Sequence, residues 1–265
     1  MRPVRTLSGA VMALSLAVAT IVMASPANAA SVNYVALGDS YSSGVGAGSY
    51  TSSSGSCERS TNAYSQLWAN AHAPSSYTSV ACSGAVTSDV LNSQVSALSS
   101  ATTLVSITIG GNDAGFASTM ETCVLEGTSA CLSAVNSAEA YAKSTLPGLL
   151  DQVYSAIHAD APNAHVVVMG YPELYQIGGN CWFGIGDTSR SAINGAADAL
   201  DSVIAQHAAK AGFTFGDVRS SFSGHEICNS DPWLNSTTFP IDESYHPTQS
   251  GQEYGYLPVF TADAS

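Results

Sequence analysis

The chain has 265 residues, of which 45% are hydrophobic and 10% charged, with a formal net charge of −13. A chain so acidic and so sparsely charged lacks the basic surface that nucleic-acid binding requires, and charge will not draw it to anionic membranes. Composition therefore fits an exported protein and leaves its substrate open.

The first residues read as a leader. Arg2 and Arg5 precede the apolar run LSGAVMALSLAVATIVMA, and Ala27-Asn28-Ala29 forms an A-x-A cleavage signal. Small residues and Pro26 stand where a cleavage site belongs, which favours a secretory signal peptide over a membrane anchor. Residues 1–29 are expected to be removed near Ala29–Ala30, taking the charge to −15. Residues 30–265 are expected to form a single domain with a full core, outside the cell.

Past the leader, short apolar runs alternate with helical stretches. Val32–Leu37 reads as a strand, followed by the Gly/Ser-rich loop GDSYSSGVGAG. Tyr64, Leu67 and Trp68 recur at helical spacing within Thr61–Asn70. Tyr77–Cys82 is a second strand, ended by Ser83–Ala85. Thr103–Gly110 and His165–Gly170 are rich in β-branched residues and nearly unbroken in apolar character, as strands buried on both faces are. Between them Ala138–Ala159 is helical, with Pro147 marking a kink or a break. Ser189–Ala211 is a long alanine-rich helix, and Phe213–Val218 a fifth strand. Such alternation predicts an α/β domain with a parallel sheet and helices on both faces. Ligands bind at the carboxyl ends of the strands in such sheets. The loops that begin at Gly38, Ser83 and Gly110 would converge there.

Six cysteines lie beyond the leader: Cys57, Cys82, Cys123, Cys131, Cys181 and Cys228. An even count in an oxidising compartment predicts three disulfides, with fifteen pairings open. No C-x-x-C pair occurs and no histidine sits at zinc-finger spacing, so no metal site is expected.

Ester hydrolysis by a serine needs a hydroxyl within reach of a base, a histidine to take and return its proton, and donors aimed at the developing oxyanion. Four blocks carry those residue types: GDSYSSG (Gly38–Gly44), SGA (Ser83–Ala85), GGND (Gly110–Asp113) and ESYHP (Glu243–Pro247). In this order, and spread over nearly the whole chain past the leader, they resemble the blocks of the SGNH, or GDSL, hydrolases. The likeness is greatest to secreted actinobacterial lipases, esterases and phospholipases A. It implies a flavodoxin-like, three-layer α/β/α sandwich around a mostly parallel, five-stranded sheet. It also implies Ser40 as nucleophile and His246 as base and then acid. The oxyanion hole would be the N–H groups of Ser40 and Gly84 with the Asn112 side-chain amide. Asp39 reads as a loop-fixing residue, and a side chain at position 84 is expected to crowd the substrate.

The family usually has Asp three residues before the histidine, where this chain has Glu243, beside Asp242. His246 would be oriented by the Glu243 or Asp242 carboxylate, or by a main-chain carbonyl of Glu243 or Ser244. His225 is the rival base. Sequential disulfides, Cys57–Cys82, Cys123–Cys131 and Cys181–Cys228, are expected from the short Cys123–Cys131 loop and from the resemblance. The implied activity is hydrolysis of carboxylic esters of lipids through an acyl-enzyme. The implied enzyme is a monomer that needs no cofactor or metal, binds no nucleic acid and does not insert stably into a membrane. The alternatives are a carbohydrate O-acetyl esterase of the same fold and a secreted non-catalytic binding protein. Ser42 stands where the G-x-S-x-G elbow of an α/β-hydrolase needs glycine, and GVGAG (Gly44–Gly48) lacks the Lys-Ser/Thr of a P-loop. Tyr41, Val45, Phe116, Trp182, Phe183, Trp233 and Phe239 are the candidates to line an apolar acyl groove.

Overall fold

The computed structural model describes residues 3–4, 31–181 and 184–265, so the leader read in residues 1–29 lies outside the described residues but for Pro3 and Val4. Residues 31–265 fold as one unit. Its sheet has strands β1 (Asn33–Gly38), β2 (Ser76–Ser79), β3 (Leu104–Thr108), β4 (His165–Met169) and β5 (Thr214–Gly216). They run in the order β2-β1-β3-β4-β5, and every neighbouring pair is parallel. All of β3, and all but the first residue of β1 and β4, are buried. That burial on two faces is why β3 and β4 read as nearly unbroken apolar runs. β2 is an edge strand and stops short of the expected Cys82. The chain beyond it still follows β1, since the N–H groups of Val80 and Cys82 donate to the carbonyls of Ala36 and Gly38 at 2.9 and 3.0 Å. β5 is also shorter than the expected run.

The helices are α1 (Ser40–Ser43), α2 (Tyr64–His72), α3 (Thr87–Asp89), α4 (Phe116–Leu125), α5 (Thr128–Ser144), α6 (Leu146–Asp160), α7 (Asp187–Lys210), α8 (Arg219–Phe222) and α9 (Leu257–Asp263). Pro147 sits in the first turn of α6, where its missing N–H has no intrahelical partner to lose. The predicted helical stretch therefore divides there into two helices. α4 has no counterpart among the expected helices. It is entered through Gly115 at φ +78°, and Phe116, Met120 and Cys123 recur along it at helical spacing. Helices α4 to α7 pack on one another, and α2 packs on α9, giving the three-layer sandwich.

The chain leaves β1 for β2 on one side and returns to β3 on the other. The carboxyl ends of β1 and β3 therefore flank the switch point at which such sheets bind ligands. Tyr34 of β1 stacks on Phe260 of α9, and Tyr64 of α2 stacks on Tyr256, each at 5.4 Å between ring centres. These pairs fasten the C-terminal segment beside β1. Bonds Cys57–Cys82, Cys123–Cys131 and Cys181–Cys228 are formed, and among the described residues no cysteine is free. The second of them joins α4 to α5. Among the described residues no helix is long and apolar enough to cross a membrane.

Candidate active site

The end of β1 turns at once into α1. Asp39 caps that helix, its carboxylate accepting from the Tyr41 N–H at 3.0 Å, so Ser40 becomes the first helical residue. The same carboxylate accepts from the Thr108 hydroxyl at 2.6 Å and from the Tyr171 hydroxyl. Ser42 Oγ accepts from the Thr108 N–H at 3.0 Å. These bonds fix the α1 turn to the end of β3, which is the loop-fixing part read for Asp39. Burial raises the Asp39 pKa to about 6, against the Thr108, Tyr171 and Tyr41 bonds that lower it.

His246 arrives from the other end of the chain, with its Nε2 2.7 Å from Ser40 Oγ. Its neighbour Tyr245 holds φ at +65°, a left-handed conformation that costs a non-glycine residue about 1–3 kcal/mol. Gly46 packs under this segment. A Cβ there would stand 2.7 Å from Asn235 Nδ2 and 2.9 Å from His246 Cβ, so only glycine fits. Burial lowers the His246 pKa to about 4, so the ring is a neutral base at neutral pH. The main-chain carbonyls of Ser244, Asp242 and Glu243 act against that lowering, Ser244 most. Nδ1 is shut off from solvent, and no group of the described chain meets it with full hydrogen-bond geometry. The Glu243 carboxylate is engaged elsewhere: it accepts from the Tyr50 hydroxyl at 2.7 Å, and that hydroxyl accepts from the Gly46 N–H at 2.9 Å. Ser244 Oγ accepts from the Thr238 N–H. His225 stacks on Trp233 at 3.6 Å with Nδ1 2.8 Å from the Asp231 carbonyl, and it is His246 that meets Ser40.

The other two loops close on the same corner. Gly84 has φ +76°, and a Cβ there would meet no protein atom within 4 Å. A positive φ by itself favours glycine at this position. Asn112 Nδ2 donates to the Ala85 carbonyl at 3.0 Å, which orients the amide and leaves its second N–H free to turn to a ligand. Asp113 accepts from the N–H and the hydroxyl of Thr87, tying the Ser83 loop to the Gly110 loop. Among the described residues the N–H groups of Ser40 and Gly84 make no hydrogen bond.

From Ser40, Tyr41 and Asn112 a groove, open to solvent at its mouth, runs between α4, α5 and α7. Phe116, Met120, Val135, Ala142, Ile193 and Leu200 line it, so its wall is apolar. Of the expected groove residues, Tyr41 and Phe116 line it. Val45 is fully buried, Trp233 packs on Phe222 and His225, and Phe239 projects into solvent at 93% exposure, so these three do not. Trp182 and Phe183 lie outside the described residues. Among the described residues, no group of three His, Cys, Asp or Glu side chains is placed to hold a metal ion.

The arrangement is a hydroxyl against a neutral imidazole, with a corner of unpaired N–H groups and an apolar trough leading away. That combination can move an acyl group. The model of the GDSL-like Lipase/Acylhydrolase family matches residues 36–254. The chain is similar to Lipase 1 of Streptomyces coelicolor, 62% identical over 237 residues that cover 89% of this chain and 88% of the relative. It is also similar to the crystal structure of an extracellular lipase from Streptomyces rimosus and to that of phospholipase A1 from Streptomyces albidoflavus NA297. Each is 58% identical with a TM-score of 0.87, covering 89% of this chain and all of the other.

Proposed function

The chain belongs to the GDSL-like lipase and acylhydrolase family and is a carboxylic ester hydrolase, and from that premise we propose that Ser40 and His246 cleave acyl esters of lipids outside the cell. Residues 1–29 serve as its export signal and residues 30–265 as one catalytic domain. Ser40 Oγ attacks the acyl carbonyl as His246 Nε2 takes its proton. The N–H groups of Ser40 and Gly84 and the side-chain amide of Asn112 receive the oxyanion, a kind of donor worth about 2.7–4 kcal/mol each. Nε2 then protonates the departing alcohol, and water releases the acyl group by the same steps in reverse. The observation that carries this reading is the 2.7 Å contact between Ser40 and His246 at the head of an apolar groove.

The groove also favours a long acyl chain over the acetate of a sugar ester, because acetate would leave it empty. Each methylene removed from water contributes about 0.8 kcal/mol. For p-nitrophenyl esters taken from acetate to decanoate, kcat/KM is expected to rise with chain length. A maximum at acetate would reject the lipid reading in favour of an O-acetyl esterase. No labelling by a fluorophosphonate, with no ester cleaved, would leave a binding protein.

The carboxylate of Glu243 latches the His246 loop to Tyr50, and among the main-chain carbonyls that favour the charged ring that of Ser244 acts most strongly, so it, rather than the carboxylate, is the group assigned to face Nδ1 as the ring charges. Glu243→Gln should therefore leave kcat within about threefold of the parent, since a glutamine oxygen still accepts from Tyr50 and the main chain is unchanged. Steady-state kinetics on a soluble short-chain ester check this. A loss of several orders of magnitude would assign the orienting role to the carboxylate.

A further inference from the structure

With the Glu243 carboxylate turned to Tyr50, the aim of His246 depends on the main chain before it. That main chain is the left-handed Tyr245, at φ +65°. Three hydrogen bonds hold it, and its ring packs near that of Tyr175. Its N–H donates to the Asn235 carbonyl at 3.0 Å, and its hydroxyl pairs with the Thr237 hydroxyl at 2.7 Å. Its carbonyl accepts from the Tyr41 hydroxyl at 2.6 Å, a bond between buried residues 204 positions apart. Asn235 and Thr237 belong to the same C-terminal segment as Tyr245. Tyr41 does not: it directly follows Ser40.

Tyr41 is itself immobilised. Its N–H is bonded to Asp39 and its carbonyl accepts from Gln252 Nε2 at 3.0 Å. Gln252 is fully buried and accepts the Tyr64 N–H through its other end. The Tyr41 ring lies 5.1 Å from the Tyr171 ring and 5.2 Å from the imidazole of His246. Burial keeps its hydroxyl protonated, so it remains a donor.

We propose that Tyr41 is a positioning residue for the reaction: its hydroxyl holds the strained Tyr245 peptide and so sets the His246 ring against Ser40. The nucleophile turn thereby carries the part that aligns its own base. This rests on the Ser40–His246 reading above. Removal of the hydroxyl alone frees the peptide to relax and displaces the His246 ring, while the Tyr41 ring that lines the head of the acyl groove is kept. A misplacement near 1 Å lowers a rate by up to about 100-fold.

The test is a double-mutant cycle of Tyr41→Phe and Tyr245→Gly, with kcat and KM measured on a soluble ester and folding followed by circular dichroism. Tyr41→Phe is expected to lower kcat by about 10- to 100-fold with KM unchanged, at a folded fraction that circular dichroism shows equal to the parent's, since a smaller folded fraction would lower apparent kcat in the same way. In the Tyr245→Gly background the same change should cost far less, because glycine keeps a positive φ without being held. The double variant relieves the strain and decides the matter alone where Tyr41→Phe does not fold: kcat close to that of Tyr245→Gly supports the proposal, and a much lower one overturns it. Parent-level kcat in Tyr41→Phe, or equal losses in both backgrounds, overturns it too. His246→Ala run beside them separates the two ideas. If that variant is dead while Tyr41→Phe is fully active, only the role of Tyr41 falls; if it is fully active, both fall.

Discussion

Ser40→Ala is expected to lower kcat by about six orders of magnitude while the protein folds as before. The rate term follows from covalent catalysis: without Oγ no acyl-enzyme forms, and only binding and the oxyanion donors remain, which still exceed water by about 10³–10⁴-fold. The folding term follows from the surroundings. The hydroxyl's hydrogen bond is to Nε2 of His246. The turn itself is held by Asp39, Ser42 and Thr108. The N–H of residue 40 survives the change, and alanine suits the first turn of a helix. Purified variant with the parent's circular dichroism and melting temperature but no turnover is the expected result. A folded variant at parent activity would take Ser40 out of the mechanism.

His246→Ala should cost about as much, because a serine hydroxyl is a weak nucleophile unless a base takes its proton. The base is neutral at working pH, since burial has lowered its pKa to about 4, and so it is ready to accept. Residues that act as a unit lose their effect together. The Ser40→Ala, His246→Ala double variant should be no slower than either single one, within error. Losses that multiply would mean that the two side chains act independently. Full activity in folded His246→Ala would shift attention to His225, although that ring is stacked on Trp233.

The strands were legible where burial is two-sided. β3 and β4 carry nearly unbroken apolar runs, and the carboxyl ends of β1 and β3 place Ser40 and the Gly110 loop on one edge. α4 was hidden because it is short and follows the glycine-rich turn GGNDAG, although Phe116 and Met120 stand four apart. The groove is legible only in part. Of the loop residues expected to line it, Tyr41 and Phe116 do, whereas Val45, Trp233 and Phe239 lie away from it. Much of its space is made by small residues of helices, Ala142, Ala196 and Ala197 among them. The alanine-rich stretch from Ser189 to Ala211 carried that signal, since small side chains on a packed helix leave room.

The partners of the site residues were beyond local pattern. Glu243 meets Tyr50 across 193 positions, Asp39 meets Tyr171 across 132, and Tyr41 meets Tyr245 across 204. Such pairs depend on how loops from opposite ends of the chain are seated, which no periodicity records. Motif blocks pointed to Ser40 and His246 as residues. The packing of α2, α9 and Tyr256 beside β1, together with the Tyr41–Tyr245 and Tyr50–Glu243 bonds, brings the second to 2.7 Å from the first.

The most direct measurement is the site of covalent capture. The active enzyme would be treated with a long-chain fluorophosphonate to complete inhibition, digested, and mapped by tandem mass spectrometry. Displacement of fluoride by Ser40 Oγ predicts one phosphonyl group per chain, on Ser40, in step with loss of activity. A stoichiometric adduct on another residue, or complete inhibition with Ser40 unmodified, would contradict the account.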